Sequence, residues 1–180
     1  MPASHETLGR LEAIPQDIAG LPFFQHLTQM MPAADFLFGG AMLILIVLVH
    51  AAGVRLVTGQ VVRRSQVILQ RPKAWRADLL MSGMVFLLLA LHVLEIGLWS
   101  AALVWSDLVT DWRSAAFFAG NTYTTIGYGE VILPVGWKML APVIAISGLF
   151  TFGWSGSVLV DLVGRCQKIK DAAASRPSRA

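Results

Sequence analysis

Charge is scarce in this chain. Only 14% of its 180 residues are Asp, Glu, Lys or Arg and 56% are hydrophobic, where a soluble domain carries about a quarter charged residues. The deficit falls in three long apolar runs, which argues for a membrane protein and against a soluble globule. Cysteine occurs once, at Cys166, so no intrachain disulfide can form. A cleavable leader is not expected, because Met1 to Gly20 has neither a basic start nor an apolar stretch. No internal repeat is visible. Also missing is a membrane helix with Arg at every third position, which a voltage sensor needs. The short stretch after Arg165 leads us to expect no ligand-binding domain. The net charge of +3 comes from basic residues that flank the apolar runs and form no continuous patch. Lipid headgroups are therefore the expected partner, and nucleic acid is not.

The first run extends from Phe36 to about Val57, interrupted only by Gly39, Gly40, His50, Gly53 and Arg55. The second, Leu79 to Trp105, carries His92 and Glu95. The third, Trp137 to about Val163, is rich in glycine. Each reaches the roughly 20 residues that cross the hydrocarbon. Between the first two lie Arg55, Arg63, Arg64, Arg71, Lys73 and Arg76; after the third lie Arg165, Lys168, Lys170, Arg176 and Arg179. Positive residues collect on the cytoplasmic side, so this loop and the C-terminus are expected inside, and the N-terminus and the 107–136 segment outside. Acids outnumber bases on that outer side: Glu6, Glu12, Asp17, Asp35, Asp107, Asp111 and Glu130 against Arg10, Arg113 and Lys138. Such a surface modestly enriches cations. Residues 1–35, broken by Pro15, Pro22 and Pro32, read as an external or interfacial tail.

A short amphipathic segment, Asp111 to Thr124, lies in the outer loop. It leads into Thr124-Thr125-Ile126-Gly127-Tyr128-Gly129-Glu130. Gly127 and Gly129 can take positive φ values that cost other residues. Alternating such residues with ordinary ones points successive carbonyls to one side of the chain. Thr125 adds a hydroxyl, and Ile126 and Tyr128 face away. A glycine-rich turn that happens to contain Tyr is the bland reading; Thr-Thr-Ile before it, an acid after it and apolar runs on both sides weigh against that.

In these residues the chain resembles the pore-domain family of potassium channels, over roughly Leu79 to Arg165. The resemblance implies an all-α membrane protein with three transmembrane helices, a re-entrant pore helix and a selectivity filter, four copies forming the pore. The implied organisation is a tail at 1–35; an extra span and basic loop at 36–78; and a pore domain at 79–165, comprising outer helix 79–106, pore helix 114–124, filter 125–129 and inner helix 137–165. A cytoplasmic tail occupies 166–180. K⁺ would be the permeating ion, with no cofactor. Its implied ligands are the carbonyls of Thr125, Ile126, Gly127 and Tyr128 with the Thr125 hydroxyl, and Gly129 closes the filter. Three identical subunits are the implied partners, together with membrane lipid, anionic lipid at the basic loop included. Thr124, Asn121, Phe118 and Glu130 are the implied supports. This chain departs from the family there: Glu130 replaces the usual Asp, Asn121 stands where some members have Glu, and Phe117 and Phe118 where others have Trp.

Other polar residues admit two readings each. Gly148 and Gly153 are hinge candidates on the inner helix, against close packing by small residues. Asp161 either faces the inner mouth or pairs with Arg165 at i+4. His92 and Glu95, three apart, are either a pH sensor or a structural pair tying this helix to the first span or the pore helix. A metal site there is disfavoured, because only His50 remains as a further histidine in a span. Gly153-Trp154-Ser155-Gly156 matches the motif of rhomboid-type intramembrane serine proteases, with His50 or His92 as base. The sequence otherwise reads as a non-enzyme. A weakly selective cation channel is the nearer rival, and a purely regulatory subunit a further one. The Arg63–Arg76 loop, with Val61, Val62, Val67, Ile68 and Leu69, is expected to form an amphipathic helix on the inner leaflet, coupling lipid or tension to the pore.

Overall fold

The computed structural model describes residues 33–129 and 131–175. Expectations that rest on residues 1–32, on Glu130 and on residues 176–180 lie outside the described residues. Four α-helices and no strand are present among those described: α1 (Ala33–Gln70), α2 (Ala74–Trp105), α3 (Trp112–Tyr123) and α4 (Leu140–Ala174). Helices α1, α2 and α4 are each long and apolar enough to cross a membrane. The 12 residues of α3 reach only about 18 Å, short of the roughly 30 Å hydrocarbon layer, so α3 cannot span it.

Helix α1 corrects one expectation. The basic segment after Val57 forms no separate helix lying on the inner leaflet; it continues α1 without a break to Gln70. Some of its apolar residues have a protein surface to cover, while Val67 and Leu69 stay exposed. Val57 and Val61 are buried with Ala77, Leu80, Leu162, Cys166 and Ile169. The helix stops where Pro72 withholds an N–H and disfavours helical backbone before it. Lys73 is extended, and α2 begins at Ala74.

Helix α4 also differs from the expected limits, starting at Leu140 and passing Arg165 to end at Ala174. Trp137 and Leu140 donate backbone N–H bonds three residues back, to Pro134 and Trp137, so residues 134–140 turn tightly first. Pro142 falls within the first turn, where an N–H has no helical partner anyway. Asp35 lies buried rather than on the outer surface, and its Oδ2 accepts from the Met139 N–H at 3.1 Å. A carboxylate is favoured at that positive helix end.

Two apolar clusters are stacked along the bundle. One gathers Ile46, Trp99, Leu103, Phe118, Tyr123 and Ile144 around α3. The other gathers Val54, Leu88, Leu91, Leu162 and Ile169 toward the opposite end. On α1, α2 and α4 the residues lying between the two clusters include buried His50, His92, Glu95, Thr151 and Ser155. Helices α1 and α2 approach closely beside this layer, since a Cβ at Gly53 would fall 2.5 Å from a Leu91 methyl. Small residues allow such contact between spans.

Candidate functional site

The route into the site begins at Asp107, whose φ of 53° turns the chain after α2. Asp111 then caps α3: its Oδ2 accepts from the Ser114 N–H at 2.9 Å and the Ser114 hydroxyl at 3.0 Å. These bonds, the backbone one first, hold the Asp111 carboxyl below its ordinary pKa. Helix α3 ends at Tyr123, two residues earlier at its start and one at its end than the sequence suggested.

Beyond α3 the backbone alternates in sign. Thr125 has φ 59° and Gly127 φ 75°, and Ile126 between them does not share this region. Positive φ is uncommon outside glycine and is stored mainly at functional sites, at about 1–3 kcal/mol per residue. Gly129, expected to share this freedom, is not among the positive-φ glycines; Thr125 takes up the conformation instead. The Ile126 N–H and the Gly127 N–H both turn back to the Asn121 carbonyl, at 2.9 and 3.5 Å. Because the peptides are trans, the Thr125 and Ile126 carbonyls point away from these N–H groups and from the Asn121 carbonyl. The Asn121 side-chain amide donates to the Tyr128 carbonyl at 2.5 Å, bracing the far end. The Thr124 hydroxyl donates to Gly120 O at 2.7 Å. Phe118 is buried behind this segment, while Ile126 and Tyr128 stand exposed at 61% and 75%.

Behind α3 a hydrogen-bonded layer joins all four helices. His50 Nδ1 lies 2.8 Å from Glu95 Oε1. The Tyr123 hydroxyl donates to Glu95 Oε2 and also meets Thr151 Oγ1 at 2.6 Å. His92 Nδ1 is 2.9 Å from the Tyr123 hydroxyl, and His92 Nε2 is 3.1 Å from Ser155 Oγ. His92 and Glu95, read as tying this helix to the first span or to the pore helix, meet His50 of α1 and Tyr123 of α3. Sequence reasoning had not singled out Tyr123, Thr151 or the pair Trp99–Ser147, joined at 3.0 Å. A signal was available: Ser147, Thr151 and Ser155 recur every four residues on one face of α4.

Three inner-helix residues resolve differently. Gly148 packs against Tyr123, where a Cβ would overlap the carbonyl oxygen, so its smallness serves a close approach, the packing reading. Gly153 has open space around its Cα. Asp161 is bonded to Arg165 at 2.7 Å, the second of its two readings. Ser155 does meet two histidines, His50 Nε2 lying 3.5 Å away, but all three side chains are buried between helices. That enclosure leaves no water-accessible substrate cleft of the kind a serine nucleophile requires, and nothing supports the protease reading.

Three apolar spans and a short helix leading into an irregular segment make up an all-α membrane channel fold. Residues 80–165 match the family model described as "Ion channel". This stretch, from Leu80 of α2 to Arg165 of α4, is an ion-channel pore domain of the two-span pore-loop type, a kind of domain that conducts ions passively and works as an oligomer. No curated protein and no solved structure matches the chain.

Proposed function

We propose that the chain is the subunit of a K⁺-selective channel, a homotetramer in which Thr125, Ile126, Gly127 and Tyr128 supply the carbonyl ligands and Thr125 its hydroxyl. The observation that carries this reading is the backbone at Thr125–Gly127. Alternate residues are at positive φ and two N–H groups are turned back on Asn121. One chain supplies only one set of these carbonyls, so a ring of dehydrating ligands needs symmetric copies around an axis. The exposed Ile126 and Tyr128 side chains, next to a cavity of about 330 Å³ lined by Phe118, Thr122, Ala141, Pro142 and Ala145, favour a neighbouring subunit at this face.

K⁺ is the permeating ion in this reading, and no cofactor is required. Helix α3 acts as the pore helix, its C-terminal end favouring a cation. The protein lies in the cell membrane, with the N-terminus and the 107–136 segment outside and the C-terminus cytoplasmic. Basic residues at the inner end of α1 meet anionic lipid. The first span couples lipid or tension to the pore; removing residues 1–60 and finding unchanged gating would count against that role.

Reconstitution into liposomes with a K⁺ gradient tests the main reading. K⁺ flux far above Na⁺ flux, blocked by barium, is expected. Equal Na⁺ flux would establish the weakly selective channel in its place.

A further inference from the structure

Conduction makes no use of the donor set in the buried polar layer. His50 Nδ1 and His92 Nδ1 both face the Glu95 carboxylate, 2.8 Å from Oε1 and 3.5 Å from Oε2. One ligand atom from each of these three residues lies within 4.8 Å of the others. On the far side of both rings sits a single hydroxyl, Ser155 Oγ, 3.1 Å from His92 Nε2 and 3.5 Å from His50 Nε2. We propose that His50, His92 and Glu95 form a binding site for a divalent transition metal of the zinc type, which clamps the first span to the pore domain.

Donor chemistry selects the ion. Two imidazole nitrogens and one carboxylate are a recurrent zinc set, whereas calcium and magnesium require more oxygen ligands. Zinc bonds of about 2.0–2.2 Å place tetrahedral ligand atoms roughly 3.3–3.6 Å apart. The side chains are thus close to a binding arrangement with the helices where they are. Ser155 can play the part usual around metal-bound histidines: with the ion bound, its oxygen would accept from both Nε2–H groups and leave both Nδ1 lone pairs for the ion. The Tyr123 hydroxyl, 2.9 Å from His92 Nδ1 and bonded to Glu95, stands at a fourth position.

Charge points the same way. Glu95 is fully buried between spans and held there by His50 and Tyr123, and a carboxylate in such a place needs a compensating positive charge. A bound cation compensates it, taking the place of the proton between His50 Nδ1 and Glu95. Binding therefore releases protons and weakens as pH falls. Helices α1 and α2 supply the ligands, and Tyr123 carries the tie to α3, one residue before Thr124. The inference does not depend on which ion the pore passes. Because the ligands are enclosed, the metal enters as the bundle folds and exchanges slowly.

The test uses the full chain, purified in detergent from zinc-supplemented cells and dialysed against a weak chelator. One zinc per chain by mass spectrometry is expected, together with the intense visible absorption of a tetrahedral site after growth on cobalt. His50→Gln and Glu95→Gln should lose the metal while keeping the wild-type elution volume. Ser155→Ala, which spares all three ligands, should lower zinc affinity roughly 10- to 100-fold. Wild-type protein with no more zinc than the His50→Gln/His92→Gln double variant, or without the cobalt absorption, would overturn the proposal and leave a proton-sharing network. So would full retention of zinc by His50→Gln.

Discussion

Replacing Gly148 by alanine puts the packing of α4 against α3 under direct strain. The added methyl would overlap the Tyr123 carbonyl oxygen, with the carbonyl carbon at 2.8 Å and the ring Cγ at 3.1 Å. Overpacking of a filled interior costs about 1–3 kcal/mol. Here the obstacle is backbone at the end of a capped helix and cannot rotate away, so the upper part of that range applies. Alanine returns about 1 kcal/mol through its better helix propensity. The net expectation is a loss of about 2 kcal/mol. Gly153→Ala is the counterpart. Nothing lies within 4 Å of its added Cβ, so propensity alone operates and stability rises by up to about 1 kcal/mol. Unfolding titrations with sodium dodecyl sulfate in maltoside micelles would compare the two variants with the parent. The displaced Tyr123 carbonyl lies directly before Thr124, so K⁺ flux should fall in Gly148→Ala as well. A Gly148→Ala variant as stable as the parent would refute the close approach and restore the hinge reading.

Removing the Asp111 cap should destabilise α3 at neutral pH. The folded pKa is lowered, so this stabilisation is present above the unfolded value of about 3.9 and lost as pH falls through the lower folded value. The gap between parent and Asp111→Ala should therefore close at strongly acid pH, and a gap independent of pH would contradict the assignment. Asn121→Ala removes the amide that braces the Tyr128 carbonyl. The K⁺-to-Na⁺ flux ratio of proteoliposomes should drop, and an unchanged ratio would mean the brace is not needed. Thr125→Gly relieves a strained φ of 59°, with a stability gain of up to about 1–2 kcal/mol after the entropy cost of glycine. It also removes the hydroxyl, so K⁺ flux should fall while stability rises; a fall in both would show that the Thr125 side chain stabilises the segment.

Much of the fold was legible because the bilayer makes sequence and structure nearly synonymous. A run such as Leu79–Trp105 can only be a helix where no water is available to satisfy its backbone. Helix limits were less legible. The basic residues after Val57 suggested a loop, yet Val57 and Val61 bury against α4, and the helix runs on until Pro72. The site divides in the same way. Thr124–Gly129 stood out because two glycines flanking a tyrosine between spans permit an unusual backbone, which the structure puts at Gly127 and at Thr125. The polar layer was legible only in pieces: His92, Glu95, His50 and Ser155 drew separate readings, and Tyr123 and Thr151, far away in the chain, gave no sign of joining them.

The amino-acid sequence by itself determined the three runs long and apolar enough to cross a membrane and the glycine-bearing segment between two of them. These follow from local properties: apolar length, the charges at its ends, and the φ freedom of glycine. Only the tertiary structure decided that Gly148 is a contact with Tyr123, that Asp35 is buried at the start of α4, and that His50 meets Glu95. Those outcomes depend on the rotation of each helix about its own axis. That rotation is set by side chains on the other helices, which no reading along a single strand of sequence contains.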